Sequence, residues 1–145
     1  LPSEKDLTDT EAAINHAIEL GIRDITVYGG IGGRLDHTLG NVGLLEKYLG
    51  KLDHLEFMDE KNSMQLLDGE TCSSTILTPV STYRFFSLVS LDSAAEGVSI
   101  TGAKYNLDNA SISRASTLCI SNEIILNQAH ISVHRGKVLL VRSAD

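Results

Sequence analysis

Asp24-Ile25-Thr26-Val27-Tyr28-Gly29-Gly30-Ile31-Gly32-Gly33-Arg34-Leu35-Asp36-His37-Thr38-Leu39 changes character twice. Residues 24–28 are rich in β-branched and aromatic side chains, which predicts a short strand. Four glycines in the next five positions predict a tight turn. From there Leu35, Leu39, Val42, Leu45 and Leu49 recur at helical spacing until Gly50 stops the pattern. Strand, glycine turn and helix in succession form a βα unit.

The flanking sequence extends this unit in both directions. Thr8-Asp9-Thr10-Glu11 is a capping-box pattern, followed by Ile14, Ala17 and Ile18 at helical spacing and by Gly21 as a stop. Leu55-Glu56-Phe57-Met58 predicts a second strand. Helix, strand, helix, strand is the rhythm of a parallel sheet with crossover helices. Because the chain opens on a helix with no strand to cross from, it is expected to be the C-terminal part of a longer protein.

Composition changes near Asp59-Glu60-Lys61-Asn62. Residues 1–60 hold 12 acids against 5 bases, whereas residues 61–145 hold 7 of each and carry 14 Ser and 6 Thr. The second region predicts strands at 63–67, 73–77, 83–91, 97–101, 117–126, 129–134 and 137–141. Turn signals stand at Asp68-Gly69, Thr78-Pro79, Thr101-Gly102, Asp108-Asn109 and Arg135-Gly136. Many short strands at close spacing predict an antiparallel sandwich or barrel. The expected division is 1–62 for the α/β part and 63–145 for the β part.

Hydrophobic residues make up 42% and charged residues 21% of the 145, which is ordinary globular composition. The net charge of −7 argues against a nucleic-acid footprint or a polybasic membrane anchor. No apolar run approaches a bilayer span, and the first residues hold no apolar signal core. Cys72 and Cys119 are too few for a disulfide scaffold and lack zinc spacing. Together these features predict a cytoplasmic protein with neither nucleic-acid nor membrane partner. His16, His54, His130 and His134 read as surface or strand histidines, and no nucleophile triad is visible.

Three clusters could carry chemistry. A glycine turn at a helix N-terminus offers bare N–H groups and the positive end of the helix dipole to an anion. Gly32 and Gly33 are its candidates, with a tight packing turn as the plainer alternative. Arg34 can fork onto phosphate oxygens. Asp36, beside His37, fits either helix stabilisation or function. Lys5-Asp6-Leu7-Thr8-Asp9 brings two carboxylates and a hydroxyl to a helix start. That set suits Mg²⁺, or simply caps the helix. In the β region, Tyr105 offers an aromatic face, and Ser116, Ser121 and Asn122 offer polar edges. A flat heterocycle with polar ring atoms could use them, or they are a core tyrosine and turn formers.

The order of these clusters resembles the thiamine pyrophosphokinase family. The string Gly33-Arg34-Leu35-Asp36-His37-Thr38-Leu39 with Asn41 and the later Ser121-Asn122-Glu123 are its most specific parts. Lys5-Asp6-Leu7-Thr8-Asp9 and Gly102-Ala103-Lys104-Tyr105-Asn106-Leu107 support it. The resemblance implies transfer of the pyrophosphoryl group of ATP to the hydroxyl of thiamine, giving thiamine diphosphate and AMP. It implies a partial parallel α/β, Rossmann-like ATP-binding domain followed by an antiparallel, thiamine-binding β-sandwich, in a homodimer with shared sites. It implies Asp6 and Asp9 on Mg²⁺, and Arg34 and Asp36 as catalytic residues. Thr8, Gly32, Gly33 and His37 would lie on the nucleotide, and Tyr105, Ser116, Ser121 and Asn122 on thiamine. The family's G-D-x-D-S motif is absent, since no Gly-Asp pair occurs in the chain. This piece alone is therefore expected to be inactive. A nonenzymatic thiamine-binding module and a β-sandwich interaction domain are the alternatives.

Overall fold

The computed structural model describes residues 7–145. Its two helices are α1 (Asp9–Glu19) and α2 (Leu35–Lys47). The strands are β1 (Asp24–Tyr28), β2 (His54–Met58), β3 (Asn62–Asp68), β4 (Ser74–Leu77) and β5 (Phe85–Ser90). They continue with β6 (Ala94–Thr101), β7 (Leu107–Ser113), β8 (Ala129–Ser132) and β9 (Lys137–Ser143). No helix among the described residues is long and apolar enough to cross a membrane.

Thr8 caps α1 as its sequence pattern predicts, its Oγ1 accepting from Glu11 N at 3.2 Å. β1 and β2 pair in parallel, the connection running through α2. A mixed sheet in the order β1-β2-β3-β9-β5 extends from them, with every other pairing antiparallel. The parallel character is thus confined to one strand pair. The second sheet, β4-β8-β6-β7, is antiparallel throughout.

The central strands explain how the layers stack. Val138-Leu139-Leu140-Val141 on β9 is an unbroken apolar run, the mark of a strand buried on both faces. Val138 and Leu140 join Leu67, Phe86 and Leu88 in a core closed by Val98, Ile100 and Ile131 of the second sheet. Leu139 and Val141 point the other way, with Met64, Phe57 and Ile14, into a core closed by Leu44, Leu45 and Tyr48. The first sheet therefore carries helices on one face and the second sheet on the other. Each fully buried aliphatic side chain of these cores contributes about 1.5–3 kcal/mol.

Two strand readings are corrected. Residues 117–126 form no strand: they run through turns and touch the sheets at isolated bridges, Phe86 with Asn122 and Ala103 with Ile124. Ser121 adopts φ 63° there, which takes the chain out of extended geometry and ends any ladder. Conversely, the turn expected at Asp108-Asn109 is replaced by strand β7. In the structure Asn109 (φ 50°) lies inside β7, at a register shift against β6, and its N–H donates to Ser99 Oγ at 3.0 Å. The polar pair marks a β-bulge within the strand.

Candidate active site

The turn after β1 can be made only by residues free at positive φ. Gly29, Gly30, Gly32 and Gly33 lie at 107°, 76°, 79° and 65°. At Gly30 an added Cβ would stand 2.8 Å from Asn41 Nδ2 and 3.0 Å from the Phe57 ring. The turn is locked by Asn41, whose Nδ2 donates to Gly30 O at 2.9 Å from a buried position on α2. Gly32 and Gly33 stay exposed at the entrance to the helix.

Arg34 is the N-cap position of α2, and its side chain makes no capping bond. It forks onto Asp36 instead, with Nη2 at 2.5 Å from Oδ2 and Nε at 3.1 Å from Oδ1. Asp36 Oδ1 also accepts from His37 N at 2.9 Å. These bonds, the Arg34 guanidinium first, hold the Asp36 carboxyl below its ordinary range. The fork lets Asp36 orient Arg34. A carboxylate stabilised in this way is a weak proton acceptor.

Asp36 and His37 face Thr8, Asp9 and Glu11 across a cavity of about 390 Å³ that Asn41 also lines. The N-termini of α1 and α2 therefore open on one space, and both present the positive end of a helix dipole to it. Asp6 lies outside the described residues. Among the described residues no three His, Cys, Asp or Glu side chains group as a metal site. The donors that do face the cavity, from Thr8, Asp9 and Asp36, are hard oxygens of the kind that suits Mg²⁺. Asn41, which the sequence places among no catalytic or binding candidates, both locks the turn and lines the cavity. Its signal was a polar residue at the head of the stripe Asn41, Leu44, Leu45 and Tyr48, all buried.

The second cluster belongs to the other end of the molecule. Tyr105, on the loop between β6 and β7, is 58% exposed, with Lys104 Nζ 5.5 Å from its ring centroid. Asn122 is buried beneath it. Ser121 is exposed, and its N–H donates to Ser87 Oγ at 3.0 Å. Ser116 is half-buried, its Oγ accepting from Leu118 N at 3.0 Å. The structure thus brings Tyr105, Ser121 and Asn122 together, with Ser116 within the same 114–128 loop.

The strand register gives the separation of the two clusters. Tyr28 pairs with Met58, Met58 with Ser63, Ser63 with Arg142, Arg142 with Phe86, and Phe86 with Asn122. Those five lateral steps, at strand spacing, put Asn122 up to about 24 Å along the sheet from the end of β1 that leads into the glycine turn.

Two family models match the chain: thiamin pyrophosphokinase, catalytic domain, over residues 1–56, and thiamin pyrophosphokinase, vitamin B1 binding domain, over residues 73–138. The thiamine pyrophosphokinase of Bacillus subtilis is 33% identical over 143 residues, covering 99% of this chain and 65% of the relative. The crystal structure of the Bacillus subtilis thiamine pyrophosphokinase superposes with a TM-score of 0.89, again over 99% and 65% of the two chains. That of a thiamin pyrophosphokinase from Geobacillus thermodenitrificans, 39% identical over the same shares, gives 0.85. The chain therefore spans slightly under two thirds of the length of these relatives.

Proposed function

The chain belongs to the thiamin pyrophosphokinase family, and from that premise we propose that the protein transfers the pyrophosphoryl group of ATP to thiamine. The observation that carries this reading is the single cavity on which Asp9, Asp36, His37 and the N-termini of α1 and α2 converge. It is a place for a polyphosphate with its metal. In this reading β1, β2, α1 and α2 are part of a Rossmann-like nucleotide domain ending near residue 62, and residues 63–145 form the thiamine-binding sandwich.

The thiamine hydroxyl oxygen attacks the β-phosphorus of ATP, the bond from that phosphorus to the α,β-bridging oxygen breaks, and AMP leaves. The hydroxyl proton goes to solvent or to a base. Thr8, Gly32, Gly33 and His37 bind the nucleotide, through a hydroxyl, open turn backbone and an imidazole. Arg34, held in place by Asp36, aims its charge at the phosphates. Asp9, with Asp6, would hold Mg²⁺. When bound, that ion would neutralise phosphate charge and make the phosphorus more electrophilic. Tyr105 covers the thiamine rings and Ser116 and Ser121 line the polar edge, with Asn122 buried beneath Tyr105.

One thiamine must reach both clusters, and reacting atoms need to approach to roughly 3–3.5 Å. Within one chain the two clusters stand five strand steps apart along the first sheet, and we propose that a partner subunit closes that gap. A twofold homodimer can set the Tyr105 loop of one subunit against the phosphate cavity of its partner. Leu118, Ile120, Ile125 and Leu126, all exposed beside Ser121, supply an apolar surface for such packing. The proposed protein is a cytoplasmic homodimer whose substrates are ATP and thiamine, with no nucleic-acid or membrane partner.

The test is product analysis on the full-length protein supplied with thiamine, ATP and Mg²⁺. Thiamine diphosphate and AMP should appear in equal amounts. Release of ADP with thiamine monophosphate, or thiamine binding without turnover, would overturn the proposal.

A further inference from the structure

We infer that Asn122 is a positioning residue that acts through Tyr105, holding the tyrosine main chain so that its ring stands over the pocket. The inference rests on the thiamine-pocket reading above and changes how that pocket is built.

Asn122 is 3% exposed. Its Oδ1 accepts from Tyr105 N at 3.0 Å, and its Nδ2 donates to Tyr105 O at 2.7 Å. One side chain therefore satisfies both main-chain polar groups of Tyr105, much as a neighbouring strand would. The same Oδ1 takes a second bond from Glu123 N at 2.9 Å. A carboxamide has two N–H donors and two acceptor lone pairs. Three of these four are spent inside the chain, which leaves one N–H on a nearly inaccessible group.

Asn122 is itself firmly mounted. Its N–H donates to Phe86 O at 2.8 Å and its C=O accepts from Phe86 N at 2.9 Å, so it is bolted to the outer edge of β5. The Tyr105 loop has further ties at its base: Lys104 N to Glu123 O at 2.8 Å, and Ala103 N to Asn106 Oδ1 at 2.9 Å. At Tyr105 both main-chain groups are held by Asn122. With that clamp, an exposed ring stands on a loop referenced to the first sheet, and little ordering of the loop remains to be done when a ligand binds.

A double-mutant cycle on the full-length protein tests this. Asn122→Ala alone should raise the KM for thiamine about tenfold, the scale of one lost positioning interaction. The KM for ATP and the kcat at saturating thiamine should stay within about twofold, which a general loss of folding would not allow. In a Tyr105→Ala background the same change should alter the thiamine KM less than about twofold, since no ring is left to place. An equal tenfold loss in both backgrounds would mean that Asn122 touches thiamine itself, and would overturn the inference.

Amide hydrogen exchange, read without ligand, separates this inference from the functional reading. Asn122→Ala should speed exchange at Tyr105 while Ile131 in β8 keeps its protection. Unchanged exchange at Tyr105 would refute the clamp. Failure of the unaltered protein to bind thiamine would count against the proposed function, and the exchange result would still decide the clamp.

Discussion

Arg34 and Asp36 stand two residues apart at the start of α2, Asp36 lining the cavity and Arg34 not, and their fork is exposed to solvent. Such a pair adds little to stability, and on the proposed function its value lies in aiming charge. Arg34→Ala in the full-length protein should cost roughly 2–4 kcal/mol of transition-state stabilisation, the usual scale for one preorganised donor. An unchanged kcat/KM would remove Arg34 from the mechanism. The pair also sets a sign for pH. Arg34 lowers the folded pKa of Asp36. Any stability from the pair is therefore present above the unfolded carboxylate value and is lost as pH falls through the folded one. Asp36→Asn should remove that contribution across the neutral range and converge with the unaltered protein below the folded carboxylate pKa, so that the acid limb flattens. A change confined to acid pH would contradict the assignment. Gly30→Ala meets two obstacles, φ 76° and a Cβ 2.8 Å from Asn41 Nδ2. It should destabilise the protein by about 1–3 kcal/mol in urea titration, and an unaffected midpoint would mean that the turn is not locked. The Arg-x-Asp-His string was legible because its residue types crowd one helix start. The clamps by Asn41 and Asn122 were not, because a buried amide bonded to main chain leaves no pattern in sequence.

Elements with one buried face were easy to read, and those with special backbone were not. α1, β1, α2 and β2 carry clean periodicity, and their observed bounds lie close to those expected. The segment 117–126 misled because Leu118, Ile120, Ile125 and Leu126 look like strand residues. They face outward from a turn-rich loop. Apolar composition there marks a surface rather than a core, and only a tertiary structure distinguishes the two. β7 misled in the opposite way: its bulge residues, Asp108 and Asn109, have the chemistry of a turn. The run on β9 is a strand, as residues 137–141 predict, and its two faces pack against two different cores. Leu140 is fully buried between the sheets. Leu140→Ala should therefore lower unfolding free energy by roughly 2–5 kcal/mol with an unchanged m-value. A loss under about 1 kcal/mol would mean that the two sheets are not packed as a single core.

On the proposed function, the molecule as a whole distributes one reaction over two places set apart along the first sheet. The first sheet runs without a break from the α/β part through β3, β9 and β5, past the point where composition shifts. That continuity sets the end of β1 and Asn122 five strand steps apart along the sheet, a separation that sequence motifs alone could not convey. The residues of both clusters were nameable from their order along the chain, whereas their separation depended on the strand order. Subunit complementation tests whether the two places work together across a dimer. An Arg34→Ala chain and a Tyr105→Ala chain, both full length and each nearly inactive alone, are unfolded together and refolded at equal ratio. Random pairing makes half the dimers mixed, and each mixed dimer holds one intact site of two, so about a quarter of the unaltered activity should return. Activity no greater than the sum of the two variants, with mixed dimers shown to have formed, would contradict a site shared between subunits.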